Sequence, residues 1–277
     1  MKLAIASGKG GTGKTTVAVS LALTAAEKGP VQFLDCDVEA PNGHIFLKPH
    51  IQESTHCFLT VPSVLEEKCT YCGKCKDICR YKAITVFGET IMFFKEMCHS
   101  CGGCFLVCPE DALIEDRREI GVVEKGHARN IAFVHGKLRI GEAMAPPLIK
   151  AVKEEISPNG LAIIDAPPGT SCPVIEVLKD ADFTILVTEP TPFGLHDLQL
   201  TVDVLRILQK PFSVILNRAD LGDNRTEQWC RDQHIPILMK IPFDRGIAED
   251  YAIGKALVVS RPDMKESFAA VLAEVVK

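Results

Sequence analysis

Short apolar runs separated by longer periodic segments dominate the chain. Residues 2–6 form one such run, followed by glycines and a helix-like stretch, 15–28, that Gly29 closes. A second run, 31–34, ends at Asp35. Further runs rich in Val, Ile and Phe occupy 130–135, 161–164, 183–187, 212–216 and 237–241. Continuous apolarity, in place of alternation, predicts strands buried on both faces of a parallel sheet. The periodic segments 142–156, 194–209, 224–234 and 263–276 predict the intervening and closing helices. Strand alternating with helix in this way predicts an α/β fold built on a doubly wound, mostly parallel sheet.

The rhythm fails between residues 62 and 116, where no long helix is predicted and a pattern repeats at an offset of 29 residues. Cys69-x2-Cys72-x2-Cys75-x3-Cys79 recurs as Cys98-x2-Cys101-x2-Cys104-x3-Cys108. An internal duplication within an α/β chain predicts a small inserted domain. The expected division is 1–61 and 118–277 for the α/β domain, with an insert at 62–117. Without the insert roughly 220 residues remain, enough for one α/β domain.

Composition narrows the setting. At 47% apolar and 24% charged residues, the chain has ordinary globular content, which excludes disordered and fibrous classes. Its 31 basic and 36 acidic side chains leave a net charge of −5, so neither nucleic acid nor an anionic membrane is an expected partner. No apolar run approaches the roughly 18 residues of a membrane span, and the N-terminal residues do not read as a signal peptide. A cytoplasmic location follows as the expectation. There the twelve cysteines, eight of them inside the forty residues 69–108, point to metal ligation and not to disulfides.

Gly8-Lys9-Gly10-Gly11-Thr12-Gly13-Lys14-Thr15 fits G-x4-G-K-[ST] between a predicted strand and a predicted helix. Such a loop turns backbone N–H groups and a helix N-terminus toward phosphate. In that chemistry Lys14 reaches the β- and γ-phosphates and the Thr15 hydroxyl binds Mg²⁺. The run 163–164 ends in Asp165, the form of a Walker B strand whose carboxylate holds Mg²⁺.

With Lys9, the loop reads K-G-G-x-G-K-T-T through Thr16, and it resembles the deviant Walker A of the MinD/ParA-type ATPases. That group includes Mrp-type cluster carriers and the nitrogenase iron protein. Asp35-Cys36-Asp37, Asp165-Ala166-Pro167-Pro168-Gly169, Asn217-Arg218 and Ile241-Pro242-Phe243-Asp244 extend the resemblance over about 1–60 and 119–277. The resemblance implies ATP/ADP and Mg²⁺ as ligands and slow ATP hydrolysis. It implies that Lys9 crosses the interface of an ATP-dependent homodimer and that Asp37 positions the attacking water. Asn217 and the Pro242 loop are the implied readers of adenine. Asp35 and Asn42 suit a capping role as well as a catalytic one.

Each cysteine repeat is similar to the run of bacterial two-cluster ferredoxins, in which the fourth cysteine ligates the other cluster. The resemblance covers roughly 62–116 and implies an inserted α+β ferredoxin-like domain with two [4Fe–4S] clusters. One cluster would take Cys69, Cys72, Cys75 and Cys108. The other would take Cys79, Cys98, Cys101 and Cys104. Zinc, which favours paired CxxC knuckles, fits two triple-cysteine runs poorly. One departure is Arg80, where the pattern has proline after the fourth cysteine. Cys36, Cys57 and Cys230 read as core thiols. Cys172, seven residues past Asp165, occupies a position similar to that of a nitrogenase iron protein ligand, which makes it a candidate further ligand at a dimer axis.

Three functions fit these motifs. The first is an ATP-gated redox protein that couples nucleotide state to electron transfer to a partner. The second is a carrier or maturation ATPase for a metal cluster, although the C-terminal CxxC of Mrp-type carriers is missing. The third is a MinD-like positioning ATPase whose clusters sense redox state. The segment 266–277 lacks the basic face of a membrane-targeting helix, so direct membrane attachment is not expected. By resemblance, the expected client is a protein similar to nitrogenase-cofactor carriers.

Overall fold

The computed structural model describes residues 1–276. Its frame is a nine-stranded sheet. Strands β1 (Lys2–Ala6), β2 (Val31–Asp35), β8 (Leu161–Asp165), β9 (Phe183–Thr188), β10 (Phe212–Asn217) and β11 (Ile237–Ile241) occupy the positions read from the apolar runs. Together with β7 (Ile131–Leu138), they form a parallel array in the order β11-β10-β9-β1-β8-β2-β7. Successive residues of β1 and β2 point to opposite faces, and both faces are covered. Leu3, Ile5 and Phe33 join one core, and Ala4, Ala6 and Leu34 the other. This two-sided burial is why the runs are continuously apolar. The Phe33 and Phe133 rings, both fully buried, stack at 5.9 Å between registered partners on β2 and β7.

Helix α1 (Lys14–Ala25) and the C-terminal α11 (Lys265–Val275) pack over one face. Helices α5 (Ala145–Glu154), α6 (Cys172–Leu178) and α7 (Pro192–Ile207) cover the other. The helix α8 (Arg225–Asp232) also lies within its predicted span. Helix α1 stops three residues short of the predicted end, as Lys28 N–H closes a tighter turn on the Ala25 carbonyl. Helix α5 starts later than its periodicity predicts. Pro146 and Pro147 fall in its first turn, the only part of a helix that tolerates the missing N–H. Three elements that the periodicity does not predict are α2 (Gly43–Leu47), α9 (Arg245–Ala252) and α10 (Leu257–Ser260).

Two long strands are also absent from the sequence reading. β3 (His50–Val64) and β6 (Leu113–Ala128) extend the sheet beyond β7 as an antiparallel pair, with β3 at the edge. Their ladder runs from His50 opposite His127 to Val64 opposite Leu113. The intervening residues 65–112 form a lobe at the end of this ribbon. The lobe holds the short helices α3 (Lys74–Ile78) and α4 (Gly103–Leu106) and one hairpin, β4 (Ile84–Phe87) with β5 (Thr90–Phe93).

Because the ribbon ends in a registered pair, the lobe can be excised at Val64 and Leu113. Joining these residues through Asn-Gly, the two-residue turn favoured in hairpins, should leave a cooperatively melting α/β sheet. Its stability should lie within about 1 kcal/mol of the intact chain, as for changes remote from the core. Thermal and denaturant unfolding followed by circular dichroism measure this. Loss of the cooperative transition would show that the lobe is integral to the sheet's stability.

Candidate nucleotide site and cysteine lobe

The C-terminal ends of the parallel strands converge on one edge, the usual place for a ligand crevice in such sheets. β1 delivers residues 7–13 into α1, and Ser7 braces the loop by donating its hydroxyl to the Lys9 carbonyl at 2.8 Å. Gly13 has φ 90°, and a Cβ there would lie 2.3 Å from Asn217 Nδ2. That amide donates to the Thr12 carbonyl at 2.8 Å, tying the end of β10 to the loop. A cavity of about 360 Å³ opens over the loop. Lys9, Gly10, Gly11, Gly13, Lys14, Thr15 and Thr16 line it, with Asp37, Asn217 and Pro242 across from them. Gly8 and Thr12 belong to the loop but do not line the cavity.

Charge is concentrated beneath the loop. Lys14 Nζ donates to Asp165 Oδ1 at 2.7 Å and lies 3.7 Å from Asp37 Oδ2. The Thr15 hydroxyl donates to Asp165 Oδ2 at 2.6 Å. Burial alone would lower the Lys14 ammonium, but Asp165, Asp37 and Asp35 outweigh it and hold its pKa above the usual value. Burial lifts Asp35 to about 7, helped by Asp165, and lifts Asp37 to about 6 against the pull of Lys14. Asp35 is a structural anchor as well, since it accepts the backbone N–H groups of Asp37, Asn42 and Gly43. Three carboxylates share one ammonium, and the Thr15 and Asp165 oxygens are hard donors. This donor chemistry suits Mg²⁺.

Lys9 lies 3.6 Å from Glu189 Oε2, and Glu189 also pairs with Arg218 at 2.6 Å. Glu189 and Tyr251 are missed by the motif reading. Tyr251 lies on α9, lines the cavity and stands within 3.3 Å of Asn42 Nδ2 through its hydroxyl. The helix signal was present in Asp244, which caps α9 by accepting Gly246 N–H at 2.8 Å. Its eight residues are too few for a clear helical period.

None of the twelve cysteines forms a disulfide, and eight of them lie in the lobe. There they surround two separate cavities. Cys69, Cys72, Cys75 and Cys108 line one. Cys79, Cys98, Cys101 and Cys104 line the other, with Thr60 of β3 beside them. Backbone N–H groups point at three of the sulfurs. Ala83 donates to Cys79 Sγ at 3.3 Å, Ala112 to Cys108 Sγ at 3.3 Å and Ser100 to Cys98 Sγ at 3.4 Å. Burial pushes the Cys104 thiol up to about 11. Among the described residues, no three His, Cys, Asp or Glu side chains converge closely enough to hold a single metal ion. His99 stacks on Tyr81 at 3.5 Å between ring centroids. Outside the lobe Cys36 and Cys230 are buried and Cys57 is partly buried, while Cys172 is exposed at the first position of α6. Among the described residues no helix is long and apolar enough to cross a membrane.

Comparison with known proteins fits this geometry. An uncharacterized protein of Methanocaldococcus jannaschii is 30% identical over 267 residues, covering 93% of this chain and 91% of that protein. Proteins named iron-sulfur cluster carrier protein are 25% identical in Aquifex aeolicus and in Pyrococcus furiosus. The alignments cover 99% and 93% of this chain and 68% and 79% of those proteins. Among solved structures, the septum site-determining protein MinD of Pyrococcus horikoshii, complexed with Mg-ADP, superposes with a TM-score of 0.59 at 22% identity. That match covers 100% of this chain and 96% of the other and shows the same fold. Residues 3–258 match the CobQ/CobB/MinD/ParA nucleotide binding domain, and the chain belongs to that family.

Proposed function

We propose that the protein is a dimerising, Mg²⁺-dependent ATPase that carries two [4Fe–4S] clusters and couples its nucleotide state to electron transfer to a partner protein. The observation that carries this reading is the grouping of the lobe cysteines. Each crossed set of four, three from one repeat and the last from the other, borders its own cavity. A cubane needs its thiolates spread around a cavity, whereas a single ion needs them converged. The N–H groups directed at Cys79, Cys98 and Cys108 are the donors that stabilise charge on cluster sulfurs. When bound, each cluster supplies a one-electron carrier. Loading must displace protons from buried thiols such as Cys104, so cluster binding and thiol deprotonation are linked.

At the ATP site the chain's own groups have distinct roles. The loop amides of 10–15 receive the phosphates, and Lys14 leaves Asp165 to reach them. Thr15 and Asp165 would hold Mg²⁺, whose charge would screen the phosphates. Asp37, held near Lys14 and freed by that movement, accepts a hydrogen bond from the attacking water. Asn217 and Pro242 border the part of the cavity that suits the base. Lys9, pulled back on its own chain's Glu189, swings to the partner's nucleotide in an ATP-bound homodimer.

A second reading, delivery of a metal cluster to a client, is favoured by the relatives named iron-sulfur cluster carrier protein and by the exposed thiol of Cys172. Iron stoichiometry separates the two. Anaerobically purified protein should hold about eight irons per chain, as two cubanes require, and Cys172→Ala should leave that number unchanged under the first reading. A deficit in Cys172→Ala would support a shared site at the dimer axis. Electron paramagnetic resonance with ADP, ATP and a non-hydrolysable analogue should show cluster signals that change with nucleotide. Signals indifferent to nucleotide, in a protein with intact ATPase activity, would argue against gating.

The ATP site generates its own tests. Asp37→Ala should lower the hydrolysis rate about 10²- to 10⁴-fold, the usual range for a lost acid–base group, while nucleotide affinity is largely kept. Lys9→Ala should bind ADP normally but remain monomeric with the ATP analogue in light scattering. A Lys9→Ala dimer of wild-type strength would remove the proposed role of that residue.

A further inference from the structure

Outside the ATP site, one buried charged pair stands between the sheet and the cysteine lobe, and it lies at the end of a continuous line of contacts from Asp37. Val38, the next residue, is buried and accepts Leu138 N–H at its carbonyl, 2.8 Å away. Gly136 packs against it so closely that a Cβ there would lie 2.6 Å from Val38 Cγ1. At the end of β7, Arg139 donates its backbone N–H to the Ile120 carbonyl of β6 at 2.8 Å, and Glu142 N–H closes the turn on the Arg139 carbonyl at 3.0 Å. The Glu142 carboxylate pairs with the Arg118 guanidinium on β6 and accepts Met144 N–H at 2.9 Å, just ahead of α5. Arg118 Nη2 in turn donates to the carbonyl of Cys98 at 3.1 Å.

The two side chains of the pair are 5% and 0% exposed. A buried pair of this kind keeps its geometry, because separating the charges leaves each without solvent. Arg118 Nε is also buried and has no hydrogen-bond partner among the described residues. The contacts are selective. The cavity of Cys79, Cys98, Cys101 and Cys104 adjoins Thr60 on β3, and its Cys98 loop is gripped by Arg118. The cavity of Cys69, Cys72, Cys75 and Cys108 also reaches the ribbon, at Leu113, the first residue of β6. Among the described residues, however, no side chain of the sheet is hydrogen-bonded to its cysteine loops as Arg118 is to Cys98. The two cysteine sites therefore differ in their tie to the nucleotide-binding domain, although their sequences repeat.

We propose that Arg118 is a positioning residue that transmits the nucleotide state from the Asp37 loop, through Glu142, to the Cys98–Cys104 segment. Of the two cysteine sites, the second responds to ATP and the first follows passively. The inference deepens the proposed function and rests on its reading of the lobe cysteines as cluster ligands. A change at Asp37 and Val38 moves Leu138 and Arg139, and the Arg118–Glu142 pair moves with the turn they begin. Cys98 is the first residue of the second ligand run and is held through its carbonyl. A shift of the guanidinium therefore moves the ligand loop.

Hydrogen exchange read by mass spectrometry on the cluster-loaded, anaerobic protein tests this with a readout other than activity. In the wild type, exchange across 98–104 should differ between Mg-ADP and a Mg-bound non-hydrolysable ATP analogue, while 69–75 changes little. The double variant Arg118→Leu/Glu142→Leu removes both charges together, which avoids stranding one of them. It should keep about eight irons and its ATPase activity, and the nucleotide-dependent difference at 98–104 should shrink roughly 2- to 30-fold, the range seen for residues that carry coupling. Arg118→Lys, which keeps the charge but not the forked geometry, should restore part of the difference and carries the test if the double variant does not fold. A double variant with full iron and a wild-type response overturns the inference, as does one that loses half its iron, because Arg118 would then only hold the loop for loading. A wild type with about eight irons and no difference at 98–104 also overturns it while leaving the cluster reading intact. A wild type that cannot hold that iron removes the cluster reading and, with it, the inference.

Discussion

The structure depends on how one lysine balances two buried carboxylates, Asp35 and Asp165, and the partly exposed Asp37. Asp35 and Asp165 end neighbouring parallel strands and are registered partners, so the fold itself forces two acids together. Both are fully buried. Burial lifts Asp35 to about 7, and the Asp165 carboxylate beside it adds to the rise. Lys14 reconciles them from the first turn of α1, and Asp35 disperses its remaining charge into three backbone N–H groups of the following loop. The arrangement is neutralised only in part. If Lys14 is drawn to a phosphate, Asp165 loses its 2.7 Å partner unless a cation replaces it. Under the proposed function, nucleotide and divalent cation therefore reinforce each other at this site, and the loop that follows Asp35 responds to both.

One strand away from β2 the sheet changes character. Beyond β7 the strands are antiparallel, so β3 and β6 can run far past the parallel array and need only one covered face. Their far end carries a lobe too small for a core of its own. Its helices have five and four residues, and its hairpin has only two strands. Isolated helices and hairpins of that size are marginal in water. Under the proposed function, metal–thiolate bonds supply what burial cannot, as in other small metal-binding units whose folding is coupled to ligation. A lobe held together in this way can move as a unit on the ribbon without disturbing the sheet.

How much of this was legible in the sequence follows the same physics. β1, β2, β8, β9, β10 and β11 are buried on both faces, so each reads as an uninterrupted apolar run. β3 and β6 do not, because they carry Gln52, Glu53, His56, Glu115, Asp116 and Arg117 where the ribbon meets solvent. The phosphate loop was legible because backbone geometry dictates its glycines, and Gly13 at φ 90° against Asn217 is the clearest case. Glu189, Tyr251 and Arg118 were not. Their roles come from residues far away in the chain, and no local spacing records them.

Arg118 also shows why burial matters more than the number of ion pairs. An ionic link does join the lobe to the ribbon, between Lys95 and Asp116, but both side chains are more than 40% exposed. Water can replace either partner there, and such pairs contribute about 0–1 kcal/mol. The Arg118–Glu142 pair has no such freedom, since its guanidinium is committed at once to a carboxylate and to the Cys98 carbonyl. An exposed tether limits how far the lobe can travel. A buried fork fixes where the Cys98 loop sits relative to α5 and β7, and only the second kind of contact can carry a small displacement from the end of β2 to a cysteine.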